Sequence, residues 1–278
     1  MGTFNYDSYY ENRDESYAQL VKETGKRKAT YLKRFLKDLT KKDIIAEVGT
    51  GPGDVLNNFD EFRIKIGLDI SLASLQSQIN TYFKYKIDTR VIKIDFETFY
   101  NKWISKNEII SGFKDRPVYS DGNLHLIKTE LDCPLPFEDK SIDYLILCDI
   151  VEHVAQPIEF LKDASRICST LLLKFPVENA VLVILMCKLR GIKYGVNHPS
   201  GHLFYWSEKE IFSMLKKSNI EILEYEFEPT KYEYSEDKFK LKKIVFSFVN
   251  SLDFLFSKAW FFSKFLLGGN IYILAKGK

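Results

Sequence analysis

Short apolar runs alternate with amphipathic segments along most of the chain, which is the pattern of an α/β protein. Five apolar runs predict buried strands at 44–47, 62–71, 123–130, 141–149 and 171–176. The fourth run is almost continuously apolar, as expected when helices cover both faces of a sheet. Pro176 is expected to end the fifth, because proline cannot extend a hydrogen-bonded ladder. Two further strands are predicted at 220–227 and 270–275.

Amphipathic helices are predicted between and around these strands. From Gly25 to Leu39, apolar residues recur at helical spacing with basic residues opposite them, which predicts a helix packed against the sheet. Pro157 suits the first turn of another helix. Ser207 and Glu210 form an S-x-x-E capping box ahead of a third.

The turn after the first strand carries the most informative pattern in the chain. Glu47 precedes Gly49, Gly51 and Gly53, so an acid and three alternating glycines close an apolar strand. Glycine tolerates positive φ and has no Cβ, so such a turn bends sharply and admits a ligand close to its backbone. A dinucleotide fingerprint needs G-x-G-x-x-G, and the third glycine is missing here. The turn indicates a nucleoside ligand, with a tight turn without a ligand as the alternative.

An acid ends the second strand in a position that suits a ribose. Asp69 follows the first glycine by about 20 residues, where a carboxylate can accept both ribose hydroxyls. An acid serves nicotinamide cofactors in the same way, so Asp69 alone does not distinguish the ligands. Its structural alternative is a cap for the helix that begins near Ser71.

Further segments complete an ordered set with these two. They are Glu130 or Asp132 after the third strand, Leu135-Pro136-Phe137, Glu138-Asp139-Lys140-Ser141-Ile142-Asp143, and Asp149-Ile150-Val151-Glu152-His153-Val154. This order resembles the class I S-adenosylmethionine-dependent methyltransferases, and among them the small-molecule enzymes of ubiquinone and menaquinone biosynthesis. The resemblance implies a Rossmann-like, doubly wound, mainly parallel seven-stranded sheet with an antiparallel last strand and helical insertions.

The resemblance also implies a cofactor, S-adenosyl-L-methionine, at the carboxyl-terminal edge of the sheet. The glycine turn then faces the methionine moiety, Asp69 the ribose and Glu130 the adenine amino group. Family members more often carry Asp at the position of Glu130, and Asp132 is the alternative. The cofactor-binding residues implied in this way are Glu47, Gly49, Thr50, Gly51, Gly53, Asp69, Ile70, Glu130, Leu131, Cys148 and Asp149.

Histidines supply most of the candidate catalytic groups. The sulfonium methyl is already activated, so the protein has mainly to align donor and acceptor and exclude water, and a hydroxyl acceptor gains from a nearby base. His153, His198 and His202 fall in the motif regions, and Asp149 precedes His153 by one helical turn. The alternatives are that His153 and Glu152 brace a helix, that His202 closes a loop and that His198 is an ordinary loop residue.

The chain is expected to form one methyltransferase domain over residues 1–278 with several additions. These are a helical lead-in at 1–42, an insertion at 81–122, a substrate-side lid at 177–206 and an aromatic-rich helical insertion at 231–269. The tyrosine-rich stretch 6–17 is expected either to pack on the surface or to contact cofactor or substrate. Within the lid, the apolar run 180–187 predicts a buried or an interfacial helix, because it is too short to span a bilayer.

The loop within the lid continues the resemblance. Gly201-His202-Leu203, followed by aromatic residues and Ser207, is similar to a loop that closes over the substrate in the same methyltransferases.

Composition and charge indicate which kinds of partner and compartment the protein is expected to have. A net charge of +2, with both signs abundant, does not require nucleic acid. Four cysteines lack C-x-x-C spacing, so no metal is predicted. The N-terminus has no signal-peptide core, which favours a cytoplasmic protein. The phenylalanine-rich segment 244–267 favours a helical cap or homodimer face, with peripheral membrane contact and a membrane span as alternatives.

The predicted reaction is methyl transfer to oxygen on a small molecule, a lipid-linked precursor or a glycan. A non-catalytic scaffold that binds S-adenosylmethionine is the first alternative, because fold does not imply function. A nicotinamide-dependent oxidoreductase is the second, and the incomplete dinucleotide fingerprint disfavours it.

Overall fold

The computed structural model describes residues 15–37, 43–86, 118–120, 124–129, 134–135, 137–229 and 268–278. Several predictions concern other parts of the chain and lie outside the described residues. They are those for the stretch before residue 15, most of the insertion 81–122, Glu130, Leu131, Asp132 and the phenylalanine-rich segment 244–267.

A mixed sheet forms the centre of the described fold. Its strands are β1 (Ile44–Val48), β2 (Ile64–Asp69), β3 (Val118–Ser120), β4 (Leu124–Lys128), β5 (Ile142–Cys148), β6 (Cys168–Val177), β7 (Ile220–Pro229) and β8 (Gly269–Gly277). Their order is β3-β4-β2-β1-β5-β6-β8-β7. Strands β4, β2, β1, β5 and β6 run parallel, and β8 is antiparallel to both of its neighbours. Apart from β3, this is the predicted seven-stranded, mainly parallel sheet with an antiparallel last strand.

Strand β3 is an addition that the sequence analysis did not predict. It pairs antiparallel with β4 at the edge of the sheet, with Tyr119 opposite Leu126. Three residues are too few for an apolar periodicity to be recognised.

The fifth predicted strand ends later than expected. Pro176 was expected to stop it, but β6 continues to Val177 and Pro176 lies opposite Asn270 of β8. Proline removes only its own N–H from the ladder, and here it stands at the next-to-last position of the strand.

Five α-helices lie within the described residues. They are α1 (Glu15–Lys33), α2 (Leu72–Lys86), α3 (Pro157–Ile167), α4 (Val181–Leu189) and α5 (Glu208–Lys217). The helix predicted for 25–39 begins earlier and ends earlier, although Leu32 and Phe35 are buried as expected. The predicted capping box is confirmed at the start of α5, where Ser207 and Glu210 satisfy each other's backbone amides.

Apolar layers cover both faces of the sheet. On one face Phe160, Ile211 and Leu215 belong to the core that joins α3 and α5 to the strands. On the other, Leu32 and Phe59 belong to a second core that includes residues of α1. All five residues of β1 are buried, as expected for a central strand of a doubly wound sheet.

Helix α4 is not the buried helix that one of the two predictions for 180–187 described. None of its residues is buried, and Val181, Leu185, Met186 and Leu189 are exposed. An interfacial role for this helix stays a prediction. Within the described ranges, every helix is too short or too polar to traverse a bilayer.

Candidate functional site

The carboxyl ends of three neighbouring strands meet at the glycine turn. Val48 of β1 pairs with Leu68 of β2 and with Leu147 of β5. Gly49, Asp69 and Cys148 are therefore the next residues on three adjacent strands. Ligands of open α/β sheets bind at this edge, where the chain leaves in different directions.

Glycine is required at two positions of this turn by conformation and by space. The φ angles of Gly49 and Gly53 are +71° and +80°. A Cβ on Gly49 would lie 2.5 Å from Cδ1 of Ile150, and one on Gly53 would lie 2.4 Å from the side chain of Gln78. The turn therefore packs closely against both the loop after β5 and helix α2.

Glu47 is a buried acid beneath the turn. Its Oε2 accepts hydrogen bonds from Oγ1 of Thr50 and from the amide of Leu56, each at 3.1 Å. Burial raises the pKa of Glu47 to about 8, although these bonds and the nearby Lys28 act in the opposite direction. A cationic ligand close to Glu47 would lower this pKa, because it would favour the ionised carboxylate.

Asp69 braces the same turn from β2. Its Oδ2 accepts from the amide of Gly51 and its Oδ1 from the amide of Ser71, both at 2.8 Å. Ser71 rather than Asp69 caps α2, since its Oγ accepts from the amide of Ser74 at 3.1 Å. The alternative reading of Asp69 as a helix cap is therefore replaced by a brace of the glycine turn. Each carboxylate oxygen has two acceptor positions, so these bonds leave capacity for a ribose.

Asp149 is held by two lysines. Nζ of Lys28 lies 2.7 Å from its Oδ2, and Nζ of Lys174 pairs with its Oδ1. Burial raises the pKa of Asp149, but the two lysines outweigh burial and hold it well below its usual range. A carboxylate that stays ionised between two cations is a weak base, which argues against the predicted catalytic role of Asp149.

The predicted helical turn between Asp149 and His153 is also wrong. Asp149 has a φ of +52°, and residues 151–153 form a 3₁₀ turn. Aspartate tolerates the left-handed region better than most residues because its short side chain bonds locally.

Lys28 is a site residue that sequence reasoning missed. Burial lowers its pKa, but Asp149, Cys148 and Glu47 raise it above the usual range, so Lys28 is a cation beside the turn. Helix α1 lies close to the end of the glycine turn, because a Cβ on Gly25 would be 2.5 Å from the carbonyl oxygen of Asp54. Gly25 precedes Lys28 by three residues on one helix face, which was the available signal.

Three histidines and two glutamates gather beside the 3₁₀ turn. The ring centroids of His153 and His202 are 4.9 Å apart, and His198 stacks on His202 at 4.4 Å. Oε2 of Glu178 lies 2.9 Å from Nδ1 of His202, and Oε1 of Glu152 lies 4.0 Å from its Nε2. The structure thus brings together the three histidines that the sequence proposed, with Glu178 as an unforeseen partner.

Burial and neighbouring charges set the protonation of this cluster. Burial and His202 lower the pKa of His153 to about 4. Burial lowers the pKa of His202, but its hydrogen bond and charge interaction with Glu178 raise it above the usual value. Burial and Asp149 raise the pKa of Glu152 to about 8. His153 is therefore neutral at neutral pH.

The loop after α4 carries His198 and His202 to the cluster. The amide of Leu203 donates to the carbonyl of Glu152 at 2.8 Å, and the ring of Tyr194 stacks on His198 at 4.5 Å. The bond from Leu203 joins the loop to the 3₁₀ turn, and the stacked rings of Tyr194 and His198 pack within the loop. Its role as a substrate-side lid stays a prediction.

The other predicted cofactor residues are only partly described. Cys148 is buried at the end of β5, and Ile70 follows Asp69 at the end of β2. Glu130 and Leu131 lie outside the described residues, so the adenine contact stays a prediction.

Comparison with known proteins identifies the fold. No protein-family model matches the chain, and no curated protein matches it. Among solved structures, a candidate methyltransferase from Bacillus halodurans has a TM-score of 0.57 at 14% identity, over 90% of this chain and 99% of that one. Magnesium protoporphyrin IX methyltransferase from Synechocystis PCC 6803, solved with S-adenosylhomocysteine, has a TM-score of 0.54 at 12% identity, over 100% and 90% of the two chains.

A third match covers a smaller share of its own chain. Phosphoethanolamine N-methyltransferase 2 from Haemonchus contortus has a TM-score of 0.55 at 13% identity, over 99% of this chain and 61% of that one. The chain has the fold of class I S-adenosylmethionine-dependent methyltransferases, as predicted. The narrower resemblance to ubiquinone and menaquinone enzymes stays a prediction.

Proposed function

We propose that the chain is an S-adenosylmethionine-dependent methyltransferase whose donor lies over the glycine turn. The observation that carries the proposal is the convergence of this turn with Glu47 and Asp69 at the ends of adjacent strands. Fold alone does not establish activity. Support comes from side chains whose charges and positions suit this particular donor.

The charges around the turn fit an amino-acid moiety. The methionine part of the donor carries one ammonium and one carboxylate group. Glu47 offers a carboxyl group, and Lys28 offers a cation whose charge reaches both Glu47 and Asp149. Asp69 lies on the adjacent strand, where it can accept hydrogen bonds from a ribose.

The reaction that we infer is methylation of a hydroxyl. When bound, the donor supplies a sulfonium methyl group; an O–CH₃ bond forms as the S–CH₃ bond breaks, and the acceptor hydroxyl loses its proton. The protein has to position the acceptor oxygen in line and help to remove that proton. His153 follows Cys148, the last residue of β5, by five residues, and the ring of His202 lies beside that of His153.

We propose that the methyl acceptor carries a hydroxyl group. A small molecule, a lipid-linked precursor and a glycan all carry hydroxyl groups that this chemistry can methylate. Exposed apolar residues of α4, including Leu185 and Leu189, lie in the predicted lid and favour an acceptor with an apolar part.

Transfer of a labelled methyl group tests the proposal. The full chain is incubated with methyl-labelled S-adenosylmethionine and a cell extract separated into lipid, glycan and small-molecule fractions. Label in one fraction, absent with the Asp69→Ala variant, is the expected result. Binding of the donor without transfer to any fraction would favour the scaffold alternative.

A further inference from the structure

A buried carboxyl group lies in the histidine cluster without a hydrogen bond to any other described residue. The side chain of Glu152 is 0% exposed, and no other residue in the described part of the chain makes a hydrogen bond to either of its oxygens, although its own backbone amide favours the ionised form. Nε2 of His202 lies 4.0 Å from Oε1 of Glu152, beyond hydrogen-bond distance. Burying a carboxyl without partners is costly, so a group that satisfies it is expected in the functional state.

The surrounding atoms match the ligands of a metal site. One ligand atom each from Glu152, His153 and His202 lie within 4.8 Å of one another. Tetrahedral ligands at zinc distances are about 3.3 Å apart, so side-chain rotations of about 1 Å would close the set. Two histidines and one carboxylate also hold catalytic zinc and non-haem iron, and they leave a coordination position for water or substrate.

Both histidine rings already have a hydrogen-bond partner in the protein. Glu178 lies 2.9 Å from Nδ1 of His202, so with a proton on Nδ1 the lone pair of Nε2 points towards Glu152. His153 makes a hydrogen bond to the backbone of Gly201. Metal-bound imidazoles characteristically donate their second N–H to a carboxylate or a backbone carbonyl, which fixes the ring and its tautomer.

The charge balance also favours a cation at this place. Asp149 pairs with both Lys28 and Lys174, whereas among the described residues the ion-pair partner of Glu152 is His202 at 4.0 Å. A second group of possible ligands, Glu178, His198 and His202, shares one histidine with the first. It is the weaker candidate, because Oε2 of Glu178 is already hydrogen-bonded to Nδ1 of His202.

We propose that Glu152, His153 and His202 bind a divalent transition-metal cation beside the methyl-transfer site. The role of that cation rests on the proposed function. An acceptor hydroxyl at the open position would lose its proton to solvent more readily, because a bound cation lowers the pKa of a coordinated oxygen. The resulting oxyanion would form the O–CH₃ bond as the S–CH₃ bond breaks. The acceptor would then be a compound whose hydroxyl can coordinate a metal.

Titration of the metal-free full chain with Co²⁺ and Zn²⁺ tests the site. We expect one equivalent to bind, with visible Co²⁺ absorption and no thiolate charge-transfer band, because no cysteine is a ligand. Glu152→Gln and His202→Gln should each weaken binding at least about 10-fold, by comparison with the effects of altering supporting residues. Glu159→Gln, an exposed control on α3, and His198→Gln should bind as the unaltered chain does.

Three results would overturn the proposal. They are failure of the chain to bind either ion, equal binding by all variants, and loss of binding in His198→Gln but not in Glu152→Gln. An S-adenosylhomocysteine-induced rise in melting temperature shows that each variant is folded and keeps its donor site. Methyl transfer by a chain that binds neither ion would overturn the metal site and leave the proposed function. Metal binding by a chain that does not bind the donor would contradict the proposed function and leave the metal site.

Discussion

Nζ of Lys28 lies 2.7 Å from Oδ2 of Asp149, and this ion pair joins helix α1 to the end of strand β5. The contact connects a part of the chain outside the sheet to the edge where three strand ends meet. It puts a cation within reach of Glu47 and helps to make Asp149 a weak base. In our proposal, Lys28 binds the carboxylate of the donor and Asp149 holds Lys28 in place.

Replacing Lys28 should therefore affect donor binding more than folding. We expect Lys28→Met to weaken S-adenosylhomocysteine binding by about 10-fold, or about 1.4 kcal/mol, as measured by calorimetry. Asp149 keeps Lys174 as its partner, so the fold should persist. Lys26→Met alters an exposed lysine on the same helix and should have no effect. Unchanged affinity in Lys28→Met would remove Lys28 from the donor site.

The buried Glu47 predicts a pH dependence of stability. Its pKa is raised to about 8 in the folded chain, so between pH 5 and 8 the folded state binds more protons than the unfolded state. Stability should then fall as pH rises, by up to about 1.4 kcal/mol per pH unit from this group. Glu47→Gln should flatten this slope in urea unfolding measured at several pH values. A variant with the slope of the unaltered chain would show that Glu47 is ionised when buried.

Asp69 should have two separable effects. Asp69→Asn loses part of its bracing of the Gly51 and Ser71 amides, and we expect a loss of about 1–2 kcal/mol in stability together with weaker donor binding. Asp143→Asn is a matched control, because Oδ2 of Asp143 accepts from the amide of Ile44 at 2.7 Å at the opposite end of β1. That control should lose stability in urea unfolding but keep its affinity for S-adenosylhomocysteine. Equal losses of affinity in both variants would mean that Asp69 acts only through the fold.

In the glycine turn, both steric clash and backbone conformation should disfavour any residue other than glycine. Gly53→Ala places a Cβ 2.4 Å from Gln78 at a φ of +80°. Gly191→Ala has a similar φ of +65° with no atom within 4 Å, so it reports the conformational cost alone, about 1–2 kcal/mol. Urea unfolding should show a larger loss for Gly53→Ala than for Gly191→Ala. Equal losses would mean that Gln78 moves aside at no cost.

Local patterns predicted the parts of the fold that local chemistry determines. The glycine turn, the apolar strands and the capping box of Ser207 and Glu210 each depend on neighbouring residues. The mainly parallel sheet with its antiparallel last strand follows from the resemblance that those motifs carry. The early start of α1 escaped prediction because its first turns lack a clear apolar stripe. Strand β3 escaped because three residues give no period.

The charge pairs of the site were beyond the reach of sequence spacing. Lys28 and Lys174 meet Asp149 from distant parts of the chain, and Glu178 meets His202 across the lid. Gly25 marks the helix face of Lys28, but no spacing in the sequence shows which acid or histidine each of these residues meets. Asp149 was consequently proposed as a base, whereas the structure pairs it with two cations. The proposed metal ligands are also hard to recognise from spacing, since they come from two segments of the chain.

Calorimetric titration with S-adenosylhomocysteine, in parallel with NAD⁺, tests the central claim most directly. We expect saturable binding of one S-adenosylhomocysteine per chain, weakened in Asp69→Asn and unchanged in Asp143→Asn, with no binding of NAD⁺. Binding of NAD⁺ in its place, or of neither compound, would contradict the assignment of the glycine turn to a methyl donor.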